Sequence, residues 1–148
     1  MEKELLVSAI DTSTDLWKRV LERSATEPII WLTTSAADGT PQPNPVWFID
    51  EGADLIIFSK PKQAKLANIG RNPHVSCHLQ VDASGGDVQV LAGTASVTDL
   101  ANVSAQTMER YLVKYAAGIV ALNTTPEEMT AEYSMAIRFT PSKLRGWT

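Results

Sequence analysis

The residues best suited to chemistry in this chain lie in Ser59-Lys60-Pro61-Lys62-Gln63-Ala64-Lys65-Leu66-Ala67-Asn68. Proline is tolerated in the first turn of a helix and Gly70 suits its end, so the spacing predicts a short helix over Pro61–Ile69. Lys60 and Lys62 then stand at the positive end of the helix dipole, where each cation costs about 0.3 to 1 kcal/mol. That placement is unfavourable for an isolated helix. It becomes favourable when an anion docks there, because free N-terminal amides and lysines act together on phosphate. Lys65 and Asn68 are three apart, share a face, and could both meet such a ligand. Arg71 falls at the helix C-terminus and is accounted for by dipole complementation. The alternative is a solvated face that happens to be basic.

The distribution of charge favours a local site over a broad one. The chain is acidic, with 17 Asp and Glu against 13 Lys and Arg and a net charge of −4. No acid lies between Asp54 and Asp82, and four of the 13 cations fall in that interval. A second acid-free stretch after Glu132 carries Arg138, Lys143 and Arg145. Local positive charge in an acidic chain suits a small anionic ligand. A general nucleic-acid binder is more often basic overall, so oligonucleotide binding on a small barrel is not expected.

Other chemical templates are missing. There is no phosphate-binding Gly-Lys-Ser/Thr loop and no dinucleotide fingerprint. His74 and His78 share a strand face but sit about 13 Å apart by strand rise, and no acid or cysteine triad accompanies them. No metal is expected. Cys77 alternates with polar neighbours and reads as a small buried apolar residue. No serine has a nucleophile-elbow context.

The elements that must position these residues are short. Thr14 to Arg23 reads as a helix with Leu16, Val20 and Leu21 on one face. Strands are expected at Ile29–Thr34, Val46–Asp50, Leu55–Ser59, His74–Val81, Val88–Val97 and Tyr133–Thr140. Pro41, Pro43 and Pro45 cannot donate to a ladder, so their stretch is extended at an edge or bulge. Turns fall at Asp38-Gly39, Glu51-Gly52 and Gly85-Gly86, and Gly93 marks a bulge. A further helix spans about Ser104 to Ala116, and Thr125-Pro126-Glu127-Glu128 is a capping box that starts a helix. Core filling is expected of Trp31. Trp147, penultimate in the chain, must anchor the tail or stack on a ligand or partner subunit.

With 148 residues the chain suits one domain, residues 1–148. The fold class is mainly β: a six- to seven-stranded antiparallel barrel with three short helices at its ends. The N-terminus lacks a signal-peptide pattern and no apolar stretch is long enough for a bilayer, so a cytoplasmic protein with no membrane partner is expected.

The ordered set Trp31-Leu32-Thr33-Thr34, Asp38-Gly39-Thr40-Pro41, Pro43-Asn44-Pro45-Val46-Trp47-Phe48, Ser59-Lys60-Pro61 to Lys65-Leu66-Ala67-Asn68-Ile69, Arg71-Asn72-Pro73, Gly93-Thr94-Ala95 and Ile137-Arg138-Phe139-Thr140-Pro141 to Arg145-Gly146-Trp147 resembles a known family. It is the pyridoxamine 5′-phosphate oxidase-like split β-barrel family, in particular its actinobacterial branch of F420-dependent or FMN-binding oxidoreductases. The resemblance implies a homodimer with F420 or FMN at the subunit interface and hydride transfer to a small organic acceptor. It implies that Pro45, Val46, Trp47 and Phe48 line the ring system. It also implies that Ser59, Lys60 and Lys65 hold the phosphate, with Asn68 one turn further on, and that Trp147 of the partner chain helps orient the ring. The Arg-Leu-His-Asp-Arg pattern of the true oxidase is missing, so oxidation of vitamin B6 is not expected. A non-catalytic carrier of FMN, F420 or a tetrapyrrole is the competing reading.

Overall fold

A computed structural model describes residues 10–148. Seven antiparallel strands form one sheet: β1 (Ile30–Ser35), β2 (Pro41–Val46), β3 (Phe48–Glu51), β4 (Asp54–Ser59), β5 (His74–Leu79), β6 (Val88–Asp99) and β7 (Met135–Trp147). Their order is β2-β1-β5-β6-β7-β4-β3. Strands β2 and β3 occupy opposite ends of that order yet are separated only by Trp47. The sheet therefore curls until its two ends meet, and the Phe58 N–H reaches the Trp47 carbonyl at 3.3 Å.

Local sequence explains the strands. In β1, Ile30, Leu32 and Thr34 are buried and alternate with half-buried Trp31, Thr33 and Ser35. Strand β2 accommodates its prolines through register: Pro41, Pro43 and Pro45 lie opposite Ser35, Thr33 and Trp31. The donors for this ladder then come from the intervening Gln42, Asn44 and Val46. Strand β4 is apolar without alternation because both of its faces are covered. Leu55 and Ile57 face a barrel core with Trp17, Leu32, Cys77, Leu91, Ile137 and Phe139. Ile56 and Phe58 face a second core formed with the helices.

There are five α-helices among the described residues, not three: α1 (Asp15–Thr26), α2 (Ala64–Arg71), α3 (Ala105–Lys114), α4 (Ala116–Ala121) and α5 (Pro126–Glu132), with a 3₁₀ turn at Leu100–Asn102. Helix α4 escaped the sequence reading because Ala116-Ala117-Gly118-Ile119-Val120-Ala121 shows no helical alternation of apolar and polar residues. The capping box of α5 is formed by Thr125 and Glu128 as expected. Helix α2 starts three residues later than expected. Lys62 adopts a left-handed φ of 65°, which keeps Pro61 and Lys62 in a turn, and the helix passes through Gly70 to Arg71. Helix α1 buries Trp17, Val20, Arg23 and Ser24, whereas Leu16 and Leu21 are half-buried. Arg23 is buried because its guanidinium is satisfied by the Glu27 carboxylate, Gln89 Oε1 at 2.7 Å, and the carbonyls of Asp87 and Gln80. Trp31 is half-buried on the outer face against His78, so it is not a core residue.

Strand β7 runs through Pro141 to Trp147, seven residues past the expected end at Thr140. Its pairing with β6 shifts register between Ala92 and Gly93, which forms the anticipated bulge. A side chain at Gly93 has no room: a Cβ there would lie 2.1 Å from the Thr140 carbonyl oxygen and 2.7 Å from Pro141 Cα, both backbone atoms. Replacing Gly93 with Ala is expected to cost about 1 to 3 kcal/mol or more in urea unfolding, as overpacking against backbone does; an unchanged midpoint would contradict this packing.

Candidate functional site

Where β2 passes into β3 the curled sheet leaves a cavity of about 410 Å³, within the range of small-molecule sites. Its strand walls are Ile29, Pro45, Val46, Trp47 and Phe58. The helical segment after β6 supplies Tyr111, Leu122, Met129 and Tyr133. Lys60, Gln63 and Lys65 come from the end of β4 and the start of α2. The lining is aromatic and aliphatic, its only charged groups are the two lysines, and no acid, histidine, serine or cysteine is among them.

The two lysines differ. Lys60 is exposed and pairs with Glu132 at 3.6 Å, its ammonium lying 5.5 Å from the Tyr133 ring centre. Lys65 is half-buried, forms no ion pair among the described residues, and its pKa is pushed below the ordinary lysine value by desolvation. Gln63 caps α2 without a side-chain hydrogen bond, and the first turn carries no acid. A helix start with neither an acid nor a side-chain cap and an unneutralised ammonium thus adjoin the cavity, an arrangement that favours an anion. Lys62 lies in the turn before the helix and does not line the cavity.

The remaining sequence-derived site residues fall elsewhere. Ser59 is buried and its hydroxyl donates to the Lys60 carbonyl at 2.8 Å. Asn68 is buried behind the cavity: its amide donates to Thr34 Oγ1 at 3.0 Å and Gln42 Oε1 at 2.8 Å and accepts from Arg71 at 2.7 Å. It fastens α2 to β1 and β2 and so holds Lys65 in place. Phe48 points into the barrel core. Trp147 ends β7 opposite Val88, is 57% exposed, and does not line this chain's cavity. Pro45, Val46, Trp47, Lys60 and Lys65 are brought together.

Sequence reasoning missed Tyr111, Leu122, Met129 and Tyr133 as lining residues. The signal for Tyr111 was its place in the Met108, Tyr111, Leu112, Tyr115 pattern, which marked a buried helix face without saying what that face covers. Tyr111 stacks on Phe58 with ring centres 3.7 Å apart, and Tyr115 stacks on Trp47 at 4.2 Å. The Tyr115 hydroxyl accepts from the Phe48 N–H at 2.9 Å and donates to the Pro28 carbonyl at 2.8 Å. Beside it, Lys114 donates to the Phe48 carbonyl at 2.9 Å and lies 3.8 Å from the Phe48 ring centre.

A seven-stranded sheet curled into a split barrel, closed at one residue and carrying an aromatic cavity edged by lysines, defines the split β-barrel class. Residues 16–148 match the pyridoxamine 5′-phosphate oxidase family, and the chain belongs to it. No curated protein sequence matches this chain significantly. Among solved structures it is similar to a conserved hypothetical protein from Mycobacterium tuberculosis, with a TM-score of 0.68 at 15% identity over 95% of this chain and 86% of that one. It is similar to an F420 reductase, with a TM-score of 0.62 at 20% identity over 84% and 94% of the two chains. It also resembles HutZ, the heme storage protein from Vibrio cholerae, with a TM-score of 0.61 at 17% identity over 90% and 95%. No helix among the described residues is long and apolar enough to cross a membrane.

Burial pushes the Lys114 ammonium down from the ordinary 10.5 to about 8, against the opposing pull of Asp50 and Glu27. Between those values the unfolded chain binds more protons than the folded one, so stability rises with pH. Below pH 8 the desolvation cost is carried in full. Urea midpoints measured from pH 7.5 to 10.5 are expected to climb in the wild type relative to Lys114→Met; parallel profiles would contradict the assignment.

Proposed function

We propose that this chain is an oxidoreductase that binds F420 or FMN in the cavity beside Trp47 and transfers a hydride between that cofactor and a small organic acceptor. The observation that carries this reading is the pairing of an aromatic-walled cavity with lysines at one side only, without a carboxylate in the lining. A planar ring system bearing an anionic tail fits that chemistry. The volume of about 410 Å³ suits a ring of this class. Likeness to an F420 reductase and membership of the family support the same class of ligand.

A bound flavin or deazaflavin supplies the hydride chemistry, which is why no triad or acid–base pair is needed in the lining. The chain's own residues do the rest. Lys65, Lys60 and the free amides of α2 hold the phosphate, and Lys65 does so from a partly desolvated position where a charge-assisted bond is strong. The backbone from Pro45 to Phe48 and the indole of Trp47 orient the ring. Tyr111, Leu122 and Met129 would cover it and exclude water, which strengthens the polar contacts to the bound group.

The assembly we propose is a homodimer acting in the cytoplasm, in which exposed Trp147 at the end of β7 packs against the partner or its ligand. A second reading, a carrier that holds a cofactor without turnover, draws support from the absence of any acid, histidine or cysteine in the lining and from likeness to a heme storage protein.

Fluorescence titration of the purified protein with F420 and with FMN decides the ligand, and micromolar binding of at least one is expected. Binding of neither overturns the proposal. Lys65→Ala is expected to weaken the bound cofactor by about 1.5 to 3 kcal/mol, as loss of a charge-assisted contact does; an unchanged dissociation constant reassigns Lys65 to the surface. Substrate-dependent reoxidation of the reduced cofactor in stopped flow, faster than for free cofactor, separates the enzyme from the carrier.

A further inference from the structure

Trp47 occupies a restricted position. It is the single residue between β2 and β3, and its carbonyl is fixed by the Phe58 N–H. Tyr115 covers one face of its indole, with the two planes only 8° apart. Tyr115 cannot yield, because its hydroxyl is held by the Phe48 N–H and the Pro28 carbonyl, and its ring abuts Tyr111 with centres 5.1 Å apart. The rim of the indole meets α4 at Gly118. A Cβ at Gly118 would stand 3.2 Å from Trp47 Cη2 and 3.3 Å from Cζ2, tighter than ordinary van der Waals contact.

Gly118 has no left-handed backbone to justify it. Its φ lies outside the region that favours glycine, and it sits inside α4. In a helix interior glycine is less favourable than alanine. Alanine is therefore the better residue for the helix alone, and the space taken by Trp47 is the one local reason for glycine. The same helix ends next to Leu122, which lines the cavity.

We infer that Gly118 is a specificity-determining residue that sets, through the position of Trp47, the width of the ring system the cavity accepts. A side chain at 118 pushes the indole rim a few tenths of an ångström away from α4; stacked Tyr115 bars movement toward one face, so the indole gives along its plane or toward its free face, and the cavity it lines changes width. Gly118 touches no ligand in this account; it acts through Trp47. The inference rests on the proposed function, since it concerns the width available to a ring of the flavin or deazaflavin class.

The test is a double-mutant cycle on the full chain with Gly118→Ala, Trp47→Phe and the double variant, each titrated with FMN and with F420 and melted without ligand. Gly118→Ala is expected to keep or raise Tm, following helix propensity, while weakening the cofactor that the wild type binds by about fivefold or more, following the cost of overpacking. In the Trp47→Phe background, where the smaller ring leaves room for the methyl, Gly118→Ala is expected to change affinity by less than about twofold. A wild type that binds a cofactor and a Gly118→Ala protein that binds it equally well overturn the inference and leave the functional reading standing. An equal loss in both backgrounds overturns it as well, because the effect then bypasses Trp47. A wild type that binds neither cofactor overturns the functional reading, and the inference with it.

Discussion

The constraint on which this structure depends is the single-residue crossing from β2 to β3. Laid flat, seven strands at about 4.8 Å spacing place the outermost two roughly 29 Å apart. One intervening residue spans about 7 Å between its neighbouring Cα atoms. The sheet has no option but to curl, and every other feature follows from how it does so. Leu55 and Ile57 turn inward with Phe48, Ile137 and Phe139 to fill the barrel. The outer side of the same strands stays apolar at Ile56 and Phe58 and must be covered, which is the role of the helices between β6 and β7. The cavity is what remains between the crossing, the helical cover and the first turn of α2.

Two electrostatic arrangements in the molecule are opposites. Away from the cavity, several arginines are neutralised within the chain: Arg23 by Glu27, Arg19 by Asp87 and Glu22, and Arg138 by Glu51 and Asp54. Arg138 and hydrogen bonding counter the burial of Glu51 and hold its carboxyl down at about 2. At the cavity, Lys65 is partly desolvated and unneutralised, and Lys60 has only an exposed partner in Glu132. Exposed ion pairs contribute at most about 1 kcal/mol, so Glu132 holds the Lys60 ammonium only weakly. The acidic total charge coexists with a locally cationic edge because Arg19, Arg23, Arg110 and Arg138 are paired with acids elsewhere in the chain.

Much of this was legible in the residues. The proline alternation in β2, the Gly93 bulge, the capping box of α5 and the lysine-bearing segment after β4 each follow from a backbone or charge rule that acts locally. What escaped the sequence depends on distant packing. The start of α2 was displaced because Lys62 took a left-handed conformation that its type does not announce. Helix α4 has no polar face to reveal its period. Strand β7 continues through Pro141 because the register shift beside Gly93 accommodates a residue that cannot donate. Asn68 carried the right chemistry for a ligand, yet Thr34, Gln42 and Arg71 engage its amide first, and only the fold brings those three together.

The prolines of β2 have a further consequence at the scale of assembly. Side chains two apart share a strand direction for their amides, so Pro41, Pro43 and Pro45 remove donors from the side turned away from β1. An edge stripped of its donors cannot template another strand. The β2 edge of the sheet is thereby closed to growth by strand addition.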